Sequence, residues 1–210
     1  MNLTLIGATG NIGSRILKEA LDRGHHVTAV VRDPAKLSVE HANLRVLVGD
    51  ALRPETIEPA LDGADALVSA MSPAFADPAP FFEAGRNLVA LAEKRTGMRL
   101  VVVGGASSLH VAPGVRLFDT GTMPAEWTPY LTAHFDLLAH LKTTTIPWTY
   151  FSPAVFIEPG ERTGTYRKGW TDLLKDADGN SRISMEDYAV ALIDELEKPE
   201  RIGMQFTAAY

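Results

Sequence analysis

The apolar positions of this chain fall into short unbroken runs that alternate with longer stretches of three-to-four periodicity. Residues 3–6, Leu-Thr-Leu-Ile, read as a buried strand, and residues 12–21 follow with one apolar helical face. Residues 27–31 are a β-branched run that stops at Arg32-Asp33-Pro34, where proline breaks the pattern. Further strands are predicted over 44–48, 65–70, 100–103, 148–151 and 204–208. Helices are predicted over 55–61, 81–94 and 124–141. A last helix over 188–196 follows Ser184-Met185-Glu186-Asp187, a capping signal with Asp in the place of the usual Glu. Residues 72–80 form a proline-rich loop, and 158–169, rich in glycine and charge, read as an excursion over the pocket.

Unbroken apolar strands are covered on both faces, and strands alternating with helices build parallel sheets. The expected architecture is therefore α/β: a three-layer, Rossmann-like fold with a mostly parallel twisted sheet and helices on both faces. Residues 1–210 are expected to form one domain, in which a small irregular C-terminal part, about 152–210, contributes the acceptor pocket. Right-handed crossovers bring the strand ends to one edge of such a sheet, and ligands bind there, where strand order reverses. Residues just after strands are accordingly the candidates.

The first of these ends is the most informative. Gly7-Ala8-Thr9-Gly10-Asn11-Ile12-Gly13 joins the first strand to the first helix. One glycine permits the tight turn, the next lets a pyrophosphate approach the backbone, and the last lets helix and strand pack closely. The helix start adds free N–H groups and the positive end of a dipole. Arg32 ends the second strand, where an acidic residue would hydrogen-bond the adenosine ribose of NAD(H). An arginine there favours the 2′-phosphate, so NADP(H) is preferred over NAD(H). Asp50 and Ala51 follow the third strand, Ser69, Ala70 and Met71 the fourth, and Gly104 and Gly105 the fifth; all are assigned to the cofactor, with Pro153 and Phe156 beyond the 148–151 strand. Asp50 is equally a turn-forming residue.

The formal net charge of -6 argues against a nucleic-acid partner. The chain has no cysteine, which excludes disulfides and thiolate chemistry. No run is long enough to span a bilayer, and the first strand starts beside Met1, so a cytoplasmic protein is expected. The expected partner is a small-molecule acceptor, the expected state a monomer or homodimer, and no metal-ligand cluster is predicted.

The Gly-Ala-Thr-Gly-Asn-Ile-Gly loop, Val-Val-Arg at 30–32 and Gly-Asp at 49–50 resemble the atypical short-chain dehydrogenase/reductases of the NAD(P)H-binding, NmrA-like group. Val-Gly-Gly-Ala-Ser-Ser-Leu (103–109), Ala-Pro-Gly-Val-Arg-Leu-Phe-Asp-Thr (112–120), Phe-Ser-Pro-Ala-Val-Phe-Ile-Glu-Pro-Gly-Glu-Arg-Thr-Gly (151–164) and Ser-Arg-Ile-Ser-Met-Glu-Asp-Tyr-Ala-Val-Ala (181–191) narrow this to the branch provisionally called NADH-flavin reductases. The resemblance implies hydride transfer to a flavin, a quinone or another flat acceptor. Two other activities are open: a redox sensor of NmrA type that binds NAD(P) without turnover, and an epimerase of the extended short-chain family.

Typical short-chain dehydrogenases use Ser and Tyr-x-x-x-Lys. This chain offers Tyr130 and, four residues on, His134, on one helical face. Tyr130, His134 and Ser108 are the catalytic candidates. His134 is either a packed residue of the apolar stripe or a pocket group, a histidine falling at the matching place in biliverdin/flavin reductase. Phe75, Phe81 and Phe82 are candidates to stack on a flat ring or to pack the following helix, and Arg162, Tyr166, Arg167 and Lys168 form a basic patch able to meet an anion.

Overall fold

The computed structural model describes residues Met1–Tyr210. The elements run β1 (Asn2–Ile6), α1 (Asn11–Asp22), β2 (His26–Val31), β3 (Leu44–Val48), β4 (Ala66–Ser69), α2 (Ala79–Glu93), β5 (Arg99–Val103), β6 (His110–Ala112), β7 (Val115–Arg116), α3 (Thr128–Leu141), β8 (Trp148–Ser152), β9 (Phe156–Glu158), β10 (Arg167–Gly169), β11 (Arg182–Ser184), α4 (Met185–Glu197) and β12 (Met204–Ala209). Eight strands make the central sheet, ordered β10-β12-β8-β5-β4-β1-β2-β3. All neighbours pair in parallel except β10, which runs antiparallel to β12. This is the doubly wound arrangement expected, and its order reverses between β1 and β4.

Period two explains why the strands read as unbroken apolar runs. Leu3, Leu5, Val101, Val103, Phe151 and Phe206 enter the core under α1 and α4. Ile6, Leu67, Leu100, Val102, Trp148 and Tyr150 enter the opposite core, under α2 and α3. In the first core the rings of Tyr188, Phe151 and Phe206 stack with centroids 4.0 and 4.1 Å apart. Ser184 caps α4, its hydroxyl accepting from the Asp187 N–H at 2.9 Å. The Asp187 carboxylate does not reach back to close the capping box. It accepts instead from the Gly164 N–H and the Tyr210 hydroxyl, both at 2.8 Å.

Three expectations are corrected. The helix over 55–61 is two short 3-10 turns, Pro54–Thr56 and Glu58–Ala60, because Pro59 has no N–H to continue a ladder. The helix over 124–141 begins as a 3-10 turn, Ala125–Trp127, before α3. The 158–169 excursion straps across α1 and α4 instead of reaching over the strand ends. Arg162 donates twice to Glu19 of α1, at 2.7 Å each, and holds that carboxyl below its ordinary range. The Gly160 N–H bonds Glu186, the Tyr166 hydroxyl bonds Asp194, and Lys168 faces Glu200. Arg162, Tyr166 and Lys168 of the patch thus face carboxylates, Arg167 donates to the Lys175 carbonyl at 2.7 Å, and β10 forms the sheet edge beside β12.

Candidate functional site

The glycine loop shows three different steric situations. Gly7 sits at φ +86°, and a Cβ there would lie 2.6 Å from the Ala70 carbonyl oxygen. A Cβ on Gly13 would lie 2.0 Å from the Gly7 carbonyl oxygen. Both glycines are therefore demanded by the protein's own backbone. Gly10 is not: its φ is −80°, and the nearest atom to a Cβ would be the Gly7 oxygen at 3.3 Å. It is exposed at the start of α1, where no side chain caps the helix and no acidic residue stands in the first turn. Ala8 is fully buried beneath it, while Thr9 and Asn11 are exposed and Ile12 is half-buried. The result is an open cradle of uncapped N–H groups at the positive end of a helix, which fits a dinucleotide pyrophosphate.

Along the β1–β3 side, Arg32 follows directly on β2, is exposed, and meets no protein carboxylate. Its neighbour Asp33 is turned to local use, its Oδ1 accepting from the Ala35 N–H at 3.1 Å as the cap of a 3-10 turn. Lys36 ends that turn, 4.0 Å from the other Asp33 oxygen. Sequence reasoning missed Lys36, although its spacing of four from Arg32 was the available signal. Asp50 accepts from the Leu52 N–H at 3.0 Å, the turn-forming role left open above. Ala51 is buried, and its carbonyl accepts from Asn87 Nδ2 at 2.9 Å.

Beyond β4, β5 and β8 the other end of the cleft is built mainly by rings. Ser69 is buried, and the Ala70 N–H bonds the Ile6 carbonyl at 2.9 Å, tying the end of β4 to β1; Met71 is half-buried. Ser72 then meets the Tyr130 hydroxyl at 2.9 Å. Phe75 stacks on Tyr130, centroids 4.4 Å apart and planes 7° off parallel, with Trp127 edge-on at 5.9 Å. Pro153 is buried after β8, and Phe156 is 59% exposed in β9.

The Gly104-Gly105 pair has a physical cause the sequence did not disclose. The ring of Tyr150, from β8, fills the space a side chain at Gly104 would need, 2.2 Å from a Cβ there. Gly105 donates its N–H to the Tyr150 hydroxyl at 3.3 Å and packs against His134, 3.4 Å from a Cβ. Tyr150 is wholly buried, and burial pushes its phenol far above the ordinary range.

His134 is buried too, 5.5 Å from the Tyr130 ring and 4.9 Å from Phe81 by ring centroids. Burial lowers its pKa to about 4, so at neutral pH the imidazole is uncharged. Four residues beyond Tyr130 on α3, it brings no positive charge to that phenol. Ser108 is buried, its hydroxyl donating to the Gly105 carbonyl at 2.9 Å and accepting from Gln205 Nε2 at 2.8 Å. That same Gln205 nitrogen donates to Ser152 at 2.9 Å. The structure thus brings Tyr130 and His134 together at the cleft and sets Ser108 in a buried polar cluster behind it.

Fold and loop define a dinucleotide-binding protein of the Rossmann type. The chain belongs to the NAD(P)H-binding family, whose sequence model matches residues 7–199. It is 42% identical over 213 residues to the uncharacterised protein YwnB of Bacillus subtilis (strain 168), covering 99% of this chain and 97% of that one. Among solved structures it is similar to a Bacteroides thetaiotaomicron protein provisionally named an epimerase, with 41% identity, a TM-score of 0.92 and coverage of 100% and 96%. It is also similar to a Streptococcus pneumoniae TIGR4 protein provisionally named an NADH-flavin reductase, with 34% identity, a TM-score of 0.87 and coverage of 100% and 99%. The family is NAD(P)H-binding and oxidoreductase-like. No helix of this chain is long and apolar enough to cross a membrane.

Proposed function

We propose that this protein is an NADPH-dependent reductase that delivers hydride to a flat acceptor, a flavin or a quinone. The carrying observation is an open glycine cradle whose acceptor end is walled by aromatic rings and holds no charged proton donor. Residues 7–13 would take the pyrophosphate, and Arg32 with Lys36 the 2′-phosphate. The rim formed by Asp50, Ala51, Ser69, Ala70, Met71, Gly104, Gly105, Pro153 and Phe156 would hold the rest. When bound, the nicotinamide supplies a hydride. The chain's own contribution is orientation and exclusion of water. The buried Tyr150 and neutral His134 keep the floor of the cleft uncharged, and Tyr130 and Phe75 present ring faces and edges to an acceptor. A reduced flavin or quinone takes its proton from solvent, so no side chain need give one.

Arg32→Ala should weaken NADPH binding by roughly ten- to a hundredfold, the worth of a charge-assisted contact of about 1.5–3 kcal/mol, and leave NADH nearly unchanged. Calorimetric titration with both nucleotides checks it, and equal affinities in the parent protein would remove the 2′-phosphate role. Tyr130→Phe should leave flavin reduction within about tenfold of the parent, whereas loss of a true general acid costs about 10²–10⁴-fold. Stopped-flow rates at saturating acceptor decide this. A thousandfold loss with folding and nucleotide binding intact would restore a tyrosine acid, and with it carbonyl or epimerase chemistry. Oxidation of NADPH by a panel of flavins, quinones and aldehydes tests the reading as a whole. Binding of nucleotide with no turnover on any of them would place the protein with the redox sensors.

A further inference from the structure

The loop after β4 is held to the rest of the protein in an unusual way. Between Met71 and Asp77 no backbone group hydrogen-bonds to the protein body, and Pro73 and Pro78 leave no N–H to do so. Its base is fixed, with Met71 packed against the core under α2 and α3, Pro73 buried and the Ser72 hydroxyl against the Tyr130 hydroxyl; its tip, 74–77, is held over the cleft by the Phe75 ring on the Tyr130 ring. Phe75 is nonetheless 61% exposed, and Trp127 beside it 41%. A phenylalanine this open gains little from burial, so aromatic contact carries most of what keeps it in place. The face it covers belongs to Tyr130, which stands over the ends of β4 and β5. Ser72 leads out of β4, and His134, one turn along α3, packs on Gly105 beyond β5.

We propose that Phe75 is a placeholder. Its ring occupies the place on Tyr130 that a planar acceptor ring takes, and acceptor binding lifts the 74–77 tip of the loop away. This rests on the flat-acceptor reading and adds to it a named subsite, the face of Tyr130 that Phe75 covers, with Trp127 edge-on to the Phe75 ring, and a moving part. The parallel stack at 4.4 Å is the geometry a flavin or quinone ring would adopt on the same phenol. The tip is poised to leave because opening it breaks no backbone hydrogen bond and exposes no buried residue, Ala74 to Asp77 being exposed already.

The test measures binding alone. Riboflavin and menadione are titrated by equilibrium dialysis into the parent and Phe75→Ala, each with saturating NADP⁺ so that the nucleotide cradle is filled. The chain has no cysteine, so Ala76→Cys accepts a single trifluoromethyl label whose ¹⁹F resonance follows the loop. Removal of the placeholder should tighten ring binding by about two- to tenfold, the span an aromatic pair contributes. The label should shift on addition of either probe to the otherwise unmodified chain. Probes that bind the parent but bind Phe75→Ala equally or more weakly, or that leave the label unmoved, overturn the placeholder and leave the flat-acceptor reading standing. If neither probe binds parent or variant, both fall together. Phe75 lies exposed on a loop, so the variant is expected to fold, which circular dichroism verifies.

Discussion

Gly10→Val should abolish binding of NADPH and NADH, a loss of at least a hundredfold, while the melting temperature stays within about 2 °C of the parent. The two halves of this result have separate causes. A Cβ at this position would crowd the protein only mildly: the backbone there is extended, which suits a β-branched residue, and the nearest atom is the Gly7 carbonyl oxygen, a tight contact at 3.3 Å. What the branched side chain fills is the space above the uncapped start of α1, where a pyrophosphate would have to approach the Asn11, Ile12 and Gly13 N–H groups. A hundredfold loss corresponds to about 2.8 kcal/mol, within the reach of a few charge-assisted hydrogen bonds. Gly13→Ala is the informative contrast. Its Cβ would sit 2.0 Å from a backbone oxygen, so that variant should lose stability first and affinity as a consequence. A folded Gly10→Val protein that still bound nucleotide would remove the loop from the site.

The difference between these glycines marks how far the sequence could be read. The spacing of the loop disclosed a phosphate cradle, because turn, approach and packing each require a glycine at a set place. It did not disclose which glycine answers to the protein and which to a ligand. That depends on Ala70, which the β1–β4 pairing brings against Gly7 from far along the chain. The central strands were legible as unbroken apolar runs, since both their faces are buried. The short strands β6, β7, β9, β10 and β11 were not, since two or three residues carry no period. The acceptor end was legible only in part. Tyr130 and His134 share a helical face, as their spacing says. That His134 is uncharged follows from burial against Phe81 and Gly105, and that Gly104 is glycine follows from Tyr150. All three partners, Phe81, Gly105 and Tyr150, come from outside α3 and the Gly104 position itself. The same holds for Arg162, which looked like a free cation until the fold gave it Glu19.

The second large effect belongs to the opposite edge of the sheet and should leave the site untouched. Glu195 of α4 is fully buried. Its Oε1 accepts from Arg99 Nη2 at 2.7 Å and from the N–H groups of Glu200 and Arg201 at 3.0 and 2.9 Å, and its Oε2 lies 3.6 Å from the Arg201 guanidinium. Arg99 opens β5 and also donates to the Glu195 carbonyl at 2.7 Å and to Thr149 at 3.1 Å. Burial pulls the Arg99 guanidinium down from its ordinary range, and Glu195 opposes that shift. Glu195→Gln keeps the shape but removes the only negative charge facing Arg99. Breaking one side of a buried pair costs about 3–5 kcal/mol, so the melting temperature should fall by roughly 10 °C. Arg99→Met combined with Glu195→Leu should recover only part of that loss, because it removes the unpaired Arg99 charge but leaves the Glu200 and Arg201 N–H groups without their acceptor. Nucleotide affinity should be unchanged in both variants at temperatures where they are folded, since Arg99 starts its strand and the cradle lies beyond the strand ends. Differential scanning calorimetry with nucleotide titration separates the two effects. A fall of less than about 3 °C in Glu195→Gln would mean that the cluster is wet enough for the charge to be screened.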